Sequence, residues 1–320
     1  MIVHTFSTVG FFSQQFSVAV DIFPQVRYNK KNTKGRIFVN DLTVLSQIIR
    51  ERGWDIYRIA RISVESDAEE VTLRKGNRCT DVYSIAKAFC VAAAGVLYDE
   101  GIWSPDEKIL SILGEETDCT PAAGWGDVTL DHLMRHRCGM PEGFLDIDAT
   151  EPSAFGRDYL SYAFSQPLLC SPGTRRSYSD GAYYLIGRAV EKKAGMSLDL
   201  FLRERLLEPM GFGEVAWSRC PQGHAMGATG LYLRAGDTVK LGGLWLTGGV
   251  WKGNRLLSRE WIDLTLRLGY EFNPVGSRGA YGKGGMYGQM LLILPHEGCA
   301  LAWQGHDGAA KSELCAICAE

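Results

Sequence analysis

Apolar residues recur at helical spacing between Leu42 and Arg52, where Leu42, Leu45, Ile48 and Ile49 share one face. Asn40-Asp41 precedes them as a cap and Gly53 follows as a stop, so the pattern predicts a helix. The period then changes. Asp55 to Val64 and Val71 to Arg74 read as paired strands, with Glu65 to Glu70 as their turn. Ala86 to Leu97 is apolar almost all round, which predicts a helix buried on every side; Asp99-Glu100-Gly101 ends it. Ser104 to Lys108 begins a further short helix, and Val128 to His136 another, which stops at Cys138-Gly139-Met140-Pro141. Helices are also predicted from Ala182 to Lys193, Leu198 to Leu207, Arg234 to Leu246 and, capped by Ser258, Trp261 to Leu268. Tyr287 to Leu294 and Cys299 to Gln304 form a hairpin across Pro295-His-Glu-Gly298, and Ala309 to Ala319 reads as a closing helix. Near the start, Phe16 to Phe23 and Arg36 to Val39 read as strands around a polar turn at 28–35.

Composition narrows what such a chain does. Its 320 residues are 46% hydrophobic and 22% charged, enough for a large core in one or two domains. The net charge is −3, and the nearest thing to a basic cluster, Tyr28 to Lys34, is a solvated turn, so nucleic acid and anionic membranes are not expected partners. No run of 18 apolar residues predicts a membrane span. The apolar start has no basic segment before it and is broken by Gln14 and Gln15, so no secretory signal is expected. Nine cysteines, an odd number, point to reduced thiols and a cytoplasmic location. Cys315-Ala-Ile-Cys318 reads as part of a buried helical face. His132 and His136 stand four apart on one helix, yet no Glu completes a zinc pattern, so packing or surface roles are expected and no metal or cofactor is implied.

The chemistry of the chain gathers around Asp81-Val-Tyr-Ser84-Ile-Ala-Lys87. If Ser84 opens the buried helix, Lys87 lies one turn on, on the same face. A serine is a weak nucleophile until a neighbouring base takes its proton. A Ser-x-x-Lys occurs about once by chance in a chain of this length, so its context must carry the assignment. A buried helix is rigid, and a rigid element holds a nucleophile well.

That context resembles the serine hydrolases related to class C β-lactamases and penicillin-binding proteins, a family that includes esterases, D-amino-acid peptidases and 6-aminohexanoate-oligomer hydrolases. The resemblance runs over residues 42–320. Tyr83-Ser84-Ile-Ala-Lys87 opens an apolar helix, as in the family. Val128-Thr-Leu-Asp-His-Leu-Met-Arg-His-Arg-Cys-Gly139 is similar to a family segment that usually carries Ser where Cys138 stands. Pro172-Gly-Thr-Arg-Arg-Ser-Tyr178-Ser-Asp180 resembles the Tyr-x-Asn loop, with Asp180 in place of Asn, and Glu208-Pro-Met-Gly211 follows it. The Lys/His-x-Gly strand has two candidates, Lys283-Gly284-Gly285 and His306-Asp307-Gly308. Only after Gly285 does enough chain remain for the hairpin and closing helix that the family places there, which favours Lys283.

The resemblance implies a mixed α/β fold with a central antiparallel sheet flanked by helices and a mostly helical subdomain, β-lactamase/transpeptidase-like. It implies an extension at 1–40 and a catalytic domain at 41–320, in which a helical region at about 84–215 is inserted between sheet-forming segments 54–80 and 225–320. The implied activity is cleavage of an ester or amide in a small molecule or short peptide through an acyl-enzyme. The alternative is a non-catalytic penicillin-binding or sensor-like domain. Ser84 would be the nucleophile, with Lys87 and Tyr178 sharing the proton and either one open as base. Lys87, beside a buried helix and another cation, is expected to have a depressed pKa, and Tyr178 to favour phenolate. Lys283 would orient a substrate carboxylate. Gly285, Met286 and Asp180 would line the site, with the Ser84 and Met286 N–H groups as the oxyanion hole. Tyr83, Phe144, Tyr183, Trp217, Tyr281 and Tyr287 either line an acyl pocket or belong to the core.

Overall fold

A computed structural model of the chain describes residues 41–320. The strands expected at 16–23 and 36–39 lie outside the described residues.

The site is built against an antiparallel sheet of six strands in the order Ser66–Thr72, Ile56–Ser63, Cys299–Gly305, Met290–Leu294, Ala280–Gly284 and Asn273–Val275. Early and late segments of the chain thus share one sheet. Cys299–Gly305 is buried at every position and pairs with strands on both sides, which explains its run of apolar residues without alternation. Among the described residues, Ser66–Thr72 is an edge strand, with exposed acidic residues. It begins earlier than the expected Val71, because the turn takes only Val64 and Glu65 and the polar run Ser66 to Glu70 pairs along the edge.

Helices cover both faces. Leu42–Arg52 and Gly308–Ala319 pack on one, with Leu45, Ile49, Leu292, Trp303 and Leu314 in a common core. The first of these starts and stops as its residues predict: the Asp41 side chain accepts the Thr43 N–H at 2.7 Å, and Gly53 takes φ 68°. Cys318 is buried in the closing helix and Cys315 packs against the same core; burial raises both thiols, Cys315 to about 11 and Cys318 to about 12. Ala235–Leu246 covers the other face. It approaches so closely that a Cβ on Gly242 would meet the Ala300 Cβ at 2.8 Å, which only glycine avoids.

Ala86–Asp99 packs against Asp180–Ala194, Leu198–Leu202 and Arg259–Leu268. Every residue from Ala86 to Leu97 is buried, as its unbroken apolar character predicts. Its alanines and Gly95 admit close neighbours: a Cβ on Gly95 would lie 2.4 Å from the Trp261 ring, and the Trp261 indole donates to the Val91 carbonyl at 3.1 Å. Asp180–Ala194 packs beside it and ends at Gly195.

Candidate active site

Ser84 is positioned by a strained turn. Thr80–Asp81 pairs with Leu231–Leu233, and the chain then turns into a short 3-10 segment, Tyr83–Ile85, before the long helix begins. Tyr83 adopts φ 49°, a region that non-glycine residues seldom enter. Its N–H is held by the Asp81 carboxylate at 2.7 Å. Burial raises the Asp81 pKa to about 6. The turn leaves Ser84 half-buried at the mouth of the buried helix.

Lys87 follows on the same face and is fully buried. Its Nζ donates to Ser84 Oγ at 3.0 Å, to Asp180 Oδ1 at 2.8 Å and to the Ala228 carbonyl at 2.9 Å. These acceptors take all three protons of an ammonium. This corrects the expected depressed pKa. Burial does push the amine down, but the Asp180 carboxylate, with smaller contributions from Tyr178 and Glu271, outweighs it and holds Lys87 above its ordinary value. Asp180 itself is buried at the start of its helix and faces Lys87.

Tyr178 is carried on the loop just before that helix. Its hydroxyl donates to Ser84 Oγ at 2.8 Å and accepts from Lys283 Nζ at 3.1 Å. The ammonium groups of Lys87 and Lys283 stand 4.8 and 5.0 Å from the ring centre. Lys283 lies on Ala280–Gly284, opposite Leu291 of the neighbouring strand. At the end of that strand, a Cβ on Gly285 would meet the Val82 carbonyl at 2.4 Å, so glycine lets this strand close on the Ser84 turn. The structure therefore brings Ser84, Lys87, Tyr178, Asp180, Lys283 and Gly285 together. Met286 begins a 3-10 turn, Met286–Gly288. This turn corrects the strand expected from Tyr287, which instead starts at Met290: Tyr287 takes φ 56° and Gly288 φ 104°, where a Cβ would strike the Asp307 carbonyl. His306 is not beside Tyr178. It is exposed, stacks on Tyr287 at 4.4 Å, and its N–H binds the Asp55 carbonyl.

Two residues of this cluster had no place in the sequence reading of the site. Glu271 is buried, follows Gly269 at the end of helix Arg259–Leu268, and forms an ion pair with Lys283. It also pairs with His136 Nε2 at 2.7 Å. Burial alone would raise its pKa, yet Lys283, His136 and Lys87 together hold it far below the usual carboxylate range. His136 was expected in a packing or surface role. It is buried, and its ring packs on Tyr178 at 4.4 Å. Burial lowers its pKa in spite of Glu271. Its Nδ1 accepts the Ser179 N–H at 3.3 Å, so in the neutral ring Nε2 carries the proton and donates to Glu271. The signals for both were a carboxylate set among apolar residues at Tyr270-Glu271-Phe272 and a histidine just before the Cys138-Gly139 turn. His132 is separate: its Nδ1 accepts the Thr129 N–H in a capping box.

Of the aromatic residues near the motifs, Tyr183 is core and bonds the Met134 carbonyl, Phe144 is buried against Tyr162, and Trp217 donates to the Thr229 carbonyl. Tyr281 is half-buried. Tyr83 and Tyr287 meet edge to face at 5.3 Å beside Ser84, and Tyr287 is exposed. Among the described residues, the carboxylates close enough to share a cation are Asp146, Asp148 and Asp180, within 4.8 Å of one another. Asp180 is committed to Lys87 and Asp148 accepts from Thr229 Oγ1 at 2.5 Å, so the resident cation there is the lysine. No helix among the described residues is long and apolar enough to cross a membrane.

Comparison with known proteins follows the same lines. A family model described as Beta-lactamase matches residues 56–304. Penicillin-binding protein 4* of Bacillus subtilis is 25% identical over 146 residues, covering 44% of this chain and 31% of the relative. The chain spans about a third or less of the length of the curated relatives it matches. Among solved structures, a penicillin-binding protein homologue from Caulobacter crescentus is 17% identical, with TM-score 0.67 over 86% of this chain and 95% of the other. An octameric penicillin-binding protein homologue from Pyrococcus abyssi, also 17% identical, gives 0.60 over 86% and 74%.

Proposed function

The chain belongs to the Beta-lactamase family, and on that premise we propose that it is a serine hydrolase that cleaves an ester or amide through an acyl-enzyme on Ser84. The observation that carries this reading is the convergence of Tyr178 Oη and Lys87 Nζ on the Ser84 oxygen, at 2.8 and 3.0 Å. The names of relatives, a penicillin-binding protein and an N-acetylmuramyl-L-alanine amidase, support acyl chemistry of this class.

Ser84 Oγ attacks the substrate carbonyl while its proton passes to Tyr178, which takes part as the phenolate, with the Ser84 hydroxyl then the donor across the 2.8 Å contact. Lys87 has all its protons engaged, so as an ammonium it has no lone pair to receive one. It serves instead, with Lys283, to stabilise the negative charge on the phenolate oxygen before the proton arrives. The tetrahedral oxyanion lies against the N–H of Ser84, in the opening turn where amides lack helical partners, and the N–H of Met286. Tyr178 returns the proton to the departing alcohol or amine as the C–O or C–N bond breaks. A water molecule, deprotonated by the same phenolate, then releases the acyl group and restores Ser84. The working unit in this reading is residues 41–320, with the helical segment set between the two sheet-forming parts.

Treatment with a fluorophosphonate should add one adduct, located on Ser84 by peptide mass, and a p-nitrophenyl ester should be turned over. Ser84→Ala should abolish both. Undiminished labelling and turnover in that variant would refute the assignment, and labelling with no turnover of any ester or amide would point to a penicillin-binding role without catalysis.

A further inference from the structure

Lys283 sits where a substrate carboxylate would be read, but it is not available for that task. It is 6% exposed, donates to Tyr178 Oη and is ion-paired with the buried Glu271. Glu271 is itself fixed by His136, which lies between the Ser179 N–H and the carboxylate and packs its ring on Tyr178. The backbone at both ends of the His136–Glu271 bond is left-handed, φ 55° and 66°, in residues that are not glycine. Strain of that kind persists where the surrounding contacts over-determine it. Lys87, Lys283, His136 and Tyr183 all face Glu271.

The charges around Ser84 therefore cancel in pairs: Lys87 with Asp180, and Lys283 with Glu271. His136 is neutral because burial disfavours its charged form. A carboxylate entering beside Lys283 would have to displace Glu271 and leave it buried without its cation, which costs more than the new contact returns. Arg176 at the mouth is exposed, its guanidinium 5.9 Å from the Tyr178 ring, where solvent weakens its pull.

We propose that Glu271, oriented by His136, commits Lys283 to Tyr178 and so makes this site select acyl substrates that carry no carboxylate beside the scissile bond. This rests on the acyl-transfer reading above. Glu271 is a positioning and specificity-determining residue; it does not touch the reacting atoms.

The test compares kcat/KM at pH 7 for p-nitrophenyl butyrate with that for two anionic esters, p-nitrophenyl hemisuccinate and 3-butyryloxybenzoate, whose carboxylates lie on the acyl and leaving sides. The wild type should favour the neutral ester. In Glu271→Gln the freed ammonium should raise the anionic-to-neutral ratio for at least one anionic ester about tenfold. For the neutral ester kcat should fall with little change in KM. Glu271→Asp should restore part of the wild-type ratio. Should Glu271→Gln fail to fold, the double variant Glu271→Gln/Lys283→Met removes both charges together. It should slow all three esters while leaving their ratios as in the wild type. A ratio unmoved by Glu271→Gln, or a wild-type preference for an anionic ester that the double variant abolishes, would overturn the proposal. Fluorophosphonate labelling of wild-type Ser84 separates the two claims: without it the acyl-transfer reading fails and takes this one with it, whereas with it the ratios judge Glu271 alone.

Discussion

Asp180→Asn changes one atom and removes one charge from the centre of the site. The side chain keeps an oxygen that accepts from Lys87, so the 2.8 Å contact survives while the ion pair does not. At that distance, with an effective dielectric of about 20, a unit charge pair is worth about 6 kcal/mol, or about 4 pKa units. Relaxation consumes part of this, but the burial that already presses the lysine toward neutrality stays in force. Lys87, held well above its ordinary value in the wild type, should fall by about 3 units, back into the alkaline range where a lysine ordinarily titrates. The assay is the second-order rate of Ser84 acylation by p-nitrophenyl butyrate, followed from pH 5.5 to 10. With Tyr178 as base and Lys87 as the cation beside it, the variant should retain activity at neutral pH and lose it through a new inflection at the alkaline end of that range, about pH 9–10, where the wild type shows none. A rate that climbs through that inflection would transfer the base role to Lys87. Superimposable profiles would refute the reasoning, because Asp180 would then not govern the charge on Lys87.

Other perturbations read separate parts of the site. Tyr178→Phe keeps the ring on His136 but removes the oxygen between Ser84 and Lys283; kcat/KM should fall at least about 100-fold, and a loss below tenfold would deny it the proton. Gly285→Ala puts a Cβ against the Val82 carbonyl, so the strand must retreat from the Ser84 turn. Acylation should slow about 100-fold while thermal denaturation shows the fold intact. Asp81 has a folded pKa near 6, above its ordinary 3.8, so its ionisation opposes folding above pH 6 and the cost disappears as pH falls toward 3.8. Asp81→Asn should accordingly raise Tm by about 2–4 °C at pH 7.5 and by nothing near pH 4; an equal gain at both would exclude titration as the cause.

Much of the fold was legible because its signals are local. Asp41 and Gly53 bound the first helix, Ser258 accepts the Trp261 N–H where a cap was expected, and the unbroken apolar run after Ser84 is buried throughout. The order of segments placed Lys283, rather than His306, at Tyr178. What stayed hidden depends on partners distant in sequence. The charge on Lys87 is decided by Asp180 and the Ala228 carbonyl, 93 and 141 positions away. Glu271 acquires its role from His136, 135 positions away, and no periodicity marks a buried carboxylate whose cation lies on another element. The turn at Tyr287 was masked for a different reason: it rests on Gly288 avoiding the Asp307 carbonyl, a close approach that a hydrophobic pattern does not record.

The sheet order has a consequence for how the chain is made. The ribosome delivers Ile56–Ser63 and Ser66–Thr72 early, but their inner neighbour, Cys299–Gly305, emerges last of the six strands. Until then Ile56–Ser63 offers an open, apolar edge, the kind of edge that recruits other chains. The acidic residues on Ser66–Thr72 protect only its outer side. Lys283 reaches Tyr178 on a strand of the same late group, so the cluster around Ser84 cannot close until that strand has emerged. A nascent chain of this design carries that edge unpaired, and the Ser84 cluster open, until those strands arrive.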